Sequence, residues 1–178
     1  MRIISGKNKG RKIQAPKNLP VRPTTDKAKE ALFNIIGNKY NLFELSILDL
    51  FSGTGNISYE FSSRGVSKIT CVDLNQKCIN FIKSNCDKLS LNFKLIKSDV
   101  CKFLNNNDLI YDIIFADPPY NFEYLKYEKI ILLVIEKKIL NSDGLLIIEH
   151  SKKTDLQNIK NYIETRKYGD CFFSFFKL

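Results

Sequence analysis

The 178-residue sequence has a single histidine, His150, which leaves the usual zinc sites and any histidine-based catalytic triad poorly supported. Its five cysteines, Cys71, Cys78, Cys86, Cys101 and Cys171, are odd in number and form no C-x-x-C pair. They mostly stand where apolar residues are expected in strands and helices, so they read as reduced packing residues rather than metal or redox sites. No apolar run approaches the roughly 18 to 20 residues of a membrane span; the longest, residues 130–135, has six. The N-terminus lacks the apolar region of a signal peptide, being basic and broken by glycine. These absences point to a cytoplasmic protein with no membrane partner. There is no internal repeat and no low-complexity segment, and 44% hydrophobic content at this length suits one globular domain with a short extension.

Acidic residues are nearly missing from the first 29 positions. Nine basic side chains there (Arg2, Lys7, Lys9, Arg11, Lys12, Lys17, Arg22, Lys27 and Lys29) face one acid, Asp26, for a net of +8. The other 149 residues hold 19 basic and 18 acidic groups, so almost the whole net charge of +9 lies in one segment. A generally Lys-rich surface would spread its charge, whereas this asymmetry resembles the electrostatic footprint of a polyanion-binding arm, the plainer alternative being a solvated basic arm with no partner. Arg2-Ile3-Ile4-Ser5, the glycine-flanked turn Gly6-Lys7-Asn8-Lys9-Gly10 and Arg11-Lys12-Ile13 predict a small β-hairpin, a finger toward nucleic acid. Arg2, Lys7, Lys9, Arg11, Lys12 and Arg22 are the candidate phosphate contacts, holding a nucleic acid rather than reading its sequence. Residues 1–23 are expected to form this arm and 24–178 the main domain. A stiff loop with Pro16, Pro20 and Pro23 leads into a helix over about 25–36, with Ala28, Ala31, Leu32, Ile35 and Ile36 inward. Lys27, Lys29 and Glu30 then fall on exposed or site-facing positions, and Gly37 is a natural stop.

Beyond residue 46 the pattern alternates. Strands are expected over 46–51, 68–73, 93–97, 112–116 and 144–150, and helices over 57–64, 76–89, 101–104 and 124–138. This βαβ rhythm predicts an α/β, doubly wound, Rossmann-like parallel sheet. A further helix is expected near 155–161. Segments 162–168 and 171–177 flank Gly169-Asp170 and predict a terminal hairpin, so at least one strand should be antiparallel.

Chemistry concentrates where the strands end. The run Ile113-Ile114-Phe115-Ala116 stops abruptly at Asp117-Pro118-Pro119-Tyr120, and ligands in open α/β sheets collect at the carboxyl ends of strands. An exocyclic amino group on a nucleobase is a poor nucleophile because its lone pair is delocalised into the ring. Two acceptors, the Asp117 carboxylate and the Pro118 carbonyl, would hold both amino protons and stabilise the positive charge that develops on nitrogen. Pro118 and Pro119 fix φ and remove competing backbone donors, and Tyr120 offers a ring to an unstacked base. Taken alone, the same residues also describe a proline-terminated strand with a capping Asp and a core Tyr.

The first strand ends in Asp49-Leu50-Phe51-Ser52-Gly53-Thr54-Gly55, where Gly53 and Gly55 would let the backbone approach a ligand closely. A dinucleotide fingerprint would want glycine at position 58, which is Ser58. Asp49 does not help a pyrophosphate but suits an ammonium group. Asp73 is placed to accept from both ribose hydroxyls with Leu74 beside an adenine face, and Asp99 to accept from the adenine amino group. Phe51 and Val100 complete the candidate cofactor-binding set. Each acid alone reads as well as a strand-end or capping residue. Four successive strands ending in Asp49, Asp73, Asp99 and Asp117 together outline S-adenosylmethionine, with Asp117 at its methyl end.

Asp49-x-x-x-Gly53-x-Gly55, Asp73, Asp99 and Asp117-Pro118-Pro119-Tyr120, in this order, resemble the class I S-adenosylmethionine-dependent methyltransferases of exocyclic amino groups. Arg2-Ile3-Ile4-Ser5-Gly6 with Gly10-Arg11, Arg22-Pro23-Thr24-Thr25-Asp26 and Lys29-Glu30-Ala31-Leu32-Phe33-Asn34 resemble, more closely, the RsmD family. Its members methylate N2 of one guanine in bacterial 16S ribosomal RNA. The likeness spans essentially the whole chain; the N-terminal elements are its most specific part and the C-terminal third its least. It implies a seven-stranded methyltransferase sheet whose last two strands form a hairpin, and a substrate presented by the small ribosomal subunit or an assembly intermediate. It also implies Asp117 and Pro118 as amino-group acceptors and Tyr120 as base stacker. From the residues themselves no metal and no obligate protein partner are expected. The expected reaction is direct displacement without a covalent enzyme intermediate. Spacing alone leaves open a DNA adenine-N6 methyltransferase, although no second domain remains to read DNA, and a noncatalytic RNA-binding or assembly factor that retains the fold.

Overall fold

A central parallel strand is covered on both faces, so it needs apolar residues at successive positions rather than alternate ones. The middle of this chain supplies them. In a computed structural model describing residues 1–16, 19, 24–119 and 121–178, five strands run parallel: β1 (Ser46–Leu50), β2 (Lys68–Asp73), β3 (Lys94–Lys97), β4 (Tyr111–Ala116) and β5 (Leu140–His150). The last two, β6 (Tyr162–Tyr168) and β7 (Cys171–Phe176), form the antiparallel terminal hairpin. The seven-stranded order is β3-β2-β1-β4-β5-β7-β6, with β7 antiparallel to β5. Arg22 and Tyr120, two of the residues singled out above, lie outside the described residues, as do Lys17, Pro20 and Pro23.

Side chains on β1 and β4 alternate between two apolar layers. Ile47, Ile113 and Phe115 join the layer under α1 (Asp26–Gly37), α2 (Asn56–Ser63) and α3 (Gln76–Leu89), whereas Leu48, Leu50, Ile114 and Ala116 join the one under α4 (Val100–Asn105) and α5 (Tyr124–Glu136). Because the chain winds outward from β1 in one direction and from β4 in the other, the connections leaving the carboxyl ends of these two paired strands part and open a crevice. Cys71, Cys78, Cys86 and Cys171 are buried in packed positions, and Cys101 is half-buried. Among the described residues no helix is long and apolar enough to cross a membrane, and no His/Cys/Asp/Glu group could hold a metal ion.

Three expectations need correction. No helix forms over 155–161: the Asp155 carboxylate accepts from the Gln157 N–H (3.0 Å), and single turns follow from Leu156 to Ile159 and from Ile159 to Tyr162. Only Leu156 and Ile159 need burial there, which one turn achieves, and an Asp side chain bonding its own backbone competes with helix formation. Strand β5 begins at Leu140 rather than 144, its early part pairing with Tyr111 before the register shifts.

The third correction concerns the basic hairpin. Arg2 and Lys12 pair antiparallel as expected, but the element lies down on α2 instead of standing off as a finger. Ile4 N–H (2.8 Å) and Ser5 N–H (3.0 Å) donate to the Glu60 carboxylate. Lys7 N–H donates to the Ser63 carbonyl (2.8 Å) and Asn8 N–H to the Ser63 hydroxyl (2.9 Å). Gly6, at φ +79°, comes so close that a Cβ would stand 1.8 Å from the Ser63 carbonyl oxygen. Lys29 is consequently not exposed but fully buried, at 0% accessibility. Its ammonium donates to the Arg2 carbonyl (2.6 Å) and to Asn56 Oδ1 (2.9 Å) and lies 3.5 Å from Glu60. A buried carboxylate needs a cation and donors, and Lys29, Arg64 and the hairpin backbone supply them. Arg2, Lys7, Lys9, Arg11 and Lys12 stay exposed, Arg2 in an ion pair with Asp26 (3.0 Å).

Candidate cofactor and methyl-transfer crevice

The crevice at the strand ends is a cavity of about 940 Å³. It gathers most of the residues predicted for it: Asp49, Phe51 and Gly53 from β1 and its turn, Asp73 and Leu74 at the end of β2, Asp99 and Val100 after β3, and Asp117, Pro118 and Pro119 after β4. Gly55 is placed differently. It caps α2 in a left-handed conformation (φ +77°), and a Cβ there would press on Ile82 and Tyr59 at 3.1 Å, behind the turn rather than in the cavity. Phe51 is itself left-handed (φ +59°), a conformation that costs a non-glycine residue about 1 kcal/mol or more and is stored preferentially at functional sites. Its ring packs edge-on against Phe122.

Each acid is held by local structure. Asp49 is buried in β1 and accepts from the Ser58 hydroxyl. Ser58 thus uses the position where a dinucleotide fold would place glycine to hold this carboxylate. Burial pushes the Asp49 carboxyl up to about 7, against the lowering effect of that hydrogen bond and with a further push from Asp73. Asp73 shapes the turn by accepting from Gly53 N–H (2.8 Å) and Asn75 N–H (2.7 Å). Asp99 caps α4 through Lys102 N–H (2.9 Å), so the capping role and the cavity-facing position coexist. Burial raises Asp117 well above the ordinary carboxylate range, and the Glu149 and Asp49 charges add to it.

Sequence reasoning missed several wall residues: Thr24, Ser52, Asn56 and Phe122 also line the cavity. Thr24 lay inside the Arg22-to-Asp26 motif without a role. Glu149 carried a readable signal, an acid at the end of an apolar strand like the other four.

These residues fit S-adenosylmethionine. The buried Asp49 and half-buried Asp117 carboxylates want a cation nearby, Asp73 and Asp99 offer acceptors further along, and Leu74, Val100 and Phe122 give apolar faces. The Ser52 hydroxyl, buried and lining the crevice, has no hydrogen-bond partner among the described residues, so a ligand group is free to complete it.

Fold and crevice together define a class I S-adenosylmethionine-dependent methyltransferase. A family model described as "Conserved hypothetical protein 95" matches residues 1–177. The chain belongs to that family, the RsmD family. It is 37% identical over 150 residues to the "Ribosomal RNA small subunit methyltransferase D" of Buchnera aphidicola subsp. Baizongia pistaciae, covering 84% of this chain and 75% of that one. The protein of the same name from Haemophilus influenzae is 31% identical over 167 residues, covering 91% and 84%. The solved structure of a hypothetical protein from Thermus thermophilus superposes with a TM-score of 0.86 at 22% identity, covering 100% of this chain and 99% of that one; at that identity it speaks for the fold.

Proposed function

We propose that this protein transfers a methyl group from S-adenosylmethionine to the exocyclic N2 of one guanine in 16S ribosomal RNA. It would act in the cytoplasm, on the small subunit or an assembly intermediate, without an obligate protein partner. The observation that carries the proposal is one crevice with carboxylates for a cationic cofactor at β1–β3 and Asp117-Pro118-Pro119 at the end of β4, in a chain whose basic hairpin is tied to the helix that opens at the cofactor turn.

Asp49 would hold the ammonium end of the cofactor, Asp73 the ribose hydroxyls, Asp99 the adenine amino group, and Phe51, Gly53, Leu74 and Val100 the intervening surface. When bound, S-adenosylmethionine supplies a methyl group on a positively charged sulfur that leaves as a neutral thioether. Asp117 and the Pro118 carbonyl accept from the two amino protons and aim the nitrogen lone pair along the axis of displacement. Pro119 keeps the loop free of a competing N–H. Tyr120 is assigned the stacking face for the unstacked base. Lys7, Lys9, Arg11 and Lys12, with Arg2 and Arg22, hold phosphates. Residues 1–23 then serve as the RNA arm of the 24–178 catalytic domain.

The test is methyl transfer from labelled S-adenosylmethionine to small subunits lacking the modification, followed by nucleoside identification. N2-methylguanosine is expected. N6-methyladenine from DNA controls, with none from the ribosomal substrate, would move the activity to DNA; cofactor binding without product from either would leave a noncatalytic RNA-binding factor.

A further inference from the structure

Glu149 stands one residue past the paired positions of β5 and β4, where Ile148 lies opposite Ala116, so it is the neighbour in the sheet of Asp117. Its side chain points into the protein at 8% accessibility and accepts a 2.7 Å hydrogen bond from the Thr24 hydroxyl. Thr24 is buried and forms part of the crevice wall. It is held from the opposite side as well, its carbonyl accepting from Asn56 Nδ2 (3.2 Å) at the start of α2. Thr24 therefore straps the two sides of the switch point together, cofactor turn to target strand, and Glu149 is one of its two anchors.

The same carboxylate acts on Asp117 through space. Asp117 is faced by Glu149 from β5 and Asp49 from β1, both anionic when charged. A second carboxylate beside the first disfavours its ionisation and makes it a better proton acceptor. The proposed reaction needs one. The amino nitrogen forms its bond to the methyl carbon, the methyl–sulfur bond breaks with its electrons going to sulfur, and the nitrogen carries a surplus proton.

We infer that Glu149 is a positioning residue for methyl transfer, anchoring Thr24 as the wall beside the target amino group and strengthening Asp117 as the acceptor of the proton that group sheds. The proton then passes from Asp117 to water as products leave. This rests on the amino-methyltransferase reading above.

Single-turnover rates against pH, for the full chain and three variants, decide the matter. Glu149→Gln keeps an acceptor for Thr24 but removes the charge. Asp117 then ionises at lower pH, so the acid limb moves down by at least half a unit, while the plateau rate falls by about tenfold as the acceptor weakens. Thr24→Val removes the strap with the charge in place, lowering the rate without moving the limb. Asp117→Asn abolishes the limb. The inference is overturned by a limb that stays put in Glu149→Gln, by Thr24→Val shifting it as far, or by a limb that survives Asp117→Asn. Should Glu149→Gln not fold, Glu149→Asp takes its place: it draws the charge back from Asp117, so the limb should move down by less than for full removal, and a limb that stays put overturns the inference. Wild-type chain yielding no methylated nucleoside would instead sink the amino-methyltransferase reading, a result distinct from product formed with an unmoved limb.

Discussion

Replacing Lys29 by Met should cost substantial stability although it leaves the apolar face of α1 intact. Met matches the length and much of the volume of the lysine stem, so the space it fills is largely kept and the loss is electrostatic. The ammonium sits 3.5 Å from Glu60, both side chains at 1% accessibility or less, and its hydrogen bonds to the Arg2 carbonyl and Asn56 Oδ1 vanish with it. Removing one partner of a buried pair costs about 3–5 kcal/mol because the other charge is stranded. Glu60 is not fully stranded, since Ile4 N–H, Ser5 N–H and Arg64 Nε (2.8 Å) remain. The low end, about 3 kcal/mol, is therefore expected. For a domain of this size that lowers Tm by about 6–12 °C. Thermal unfolding at neutral pH measures it, and adding Glu60→Gln to Lys29→Met should recover part of the loss by removing the orphaned charge. A Lys29→Met protein melting within about 2 °C of the wild type would refute the claim that this pair carries the hairpin junction.

The two hairpin glycines should separate cleanly. Gly6→Ala must push its Cβ into the Ser63 carbonyl and undock the hairpin, whereas Gly10→Ala, with φ +83° but nothing within 4 Å, bears only the left-handed cost of about 1–2 kcal/mol; equal melting points would contradict this. Because the Asp49 carboxyl titrates near 7, cofactor affinity should climb between pH 6 and 8 as the carboxylate forms, and Asp49→Asn should weaken binding and flatten that climb in calorimetry. Without cofactor the sign reverses for folding. A carboxyl raised from 3.8 to about 7 contributes stability that is complete below pH 4 and is lost as pH rises toward 7, by roughly 4 kcal/mol at most. Asp49→Asn should therefore flatten the fall in Tm over that window, and an unchanged profile would remove Asp49 as its source.

The sheet was legible because its signals are local: continuous apolar runs at 113–116 and 145–148, glycine turns after strands, and Gly169-Asp170 between the last two segments. The crevice was legible for a related reason. Strand ends converge whatever the loops do, so acids at 49, 73, 99 and 117 meet without any knowledge of packing. What the sequence concealed were contacts between distant segments. Lys29 has the spacing of an exposed residue on an isolated helix and becomes buried only because residues 2–8 fold over it and Glu60 arrives from α2. Thr24 and Glu149 meet across 125 positions, a separation no periodicity encodes. The absent helix at 155–161 failed for the opposite reason, its two apolar residues fitting a helical spacing that a single turn satisfies equally well.

The attachment of the hairpin to Glu60 and Ser63 also sets an order of events during synthesis. Residues 1–13 leave the ribosome before α2, and the α2 groups that fasten Ile4, Ser5, Lys7 and Asn8 lie 55 to 58 positions later. At about 5–20 residues per second the basic segment waits roughly 3–11 seconds before its anchor exists. Its closure is thus a late, long-range event, dependent on a completed α2, although a hairpin of this length seen alone would be counted among the fastest parts of the chain to form.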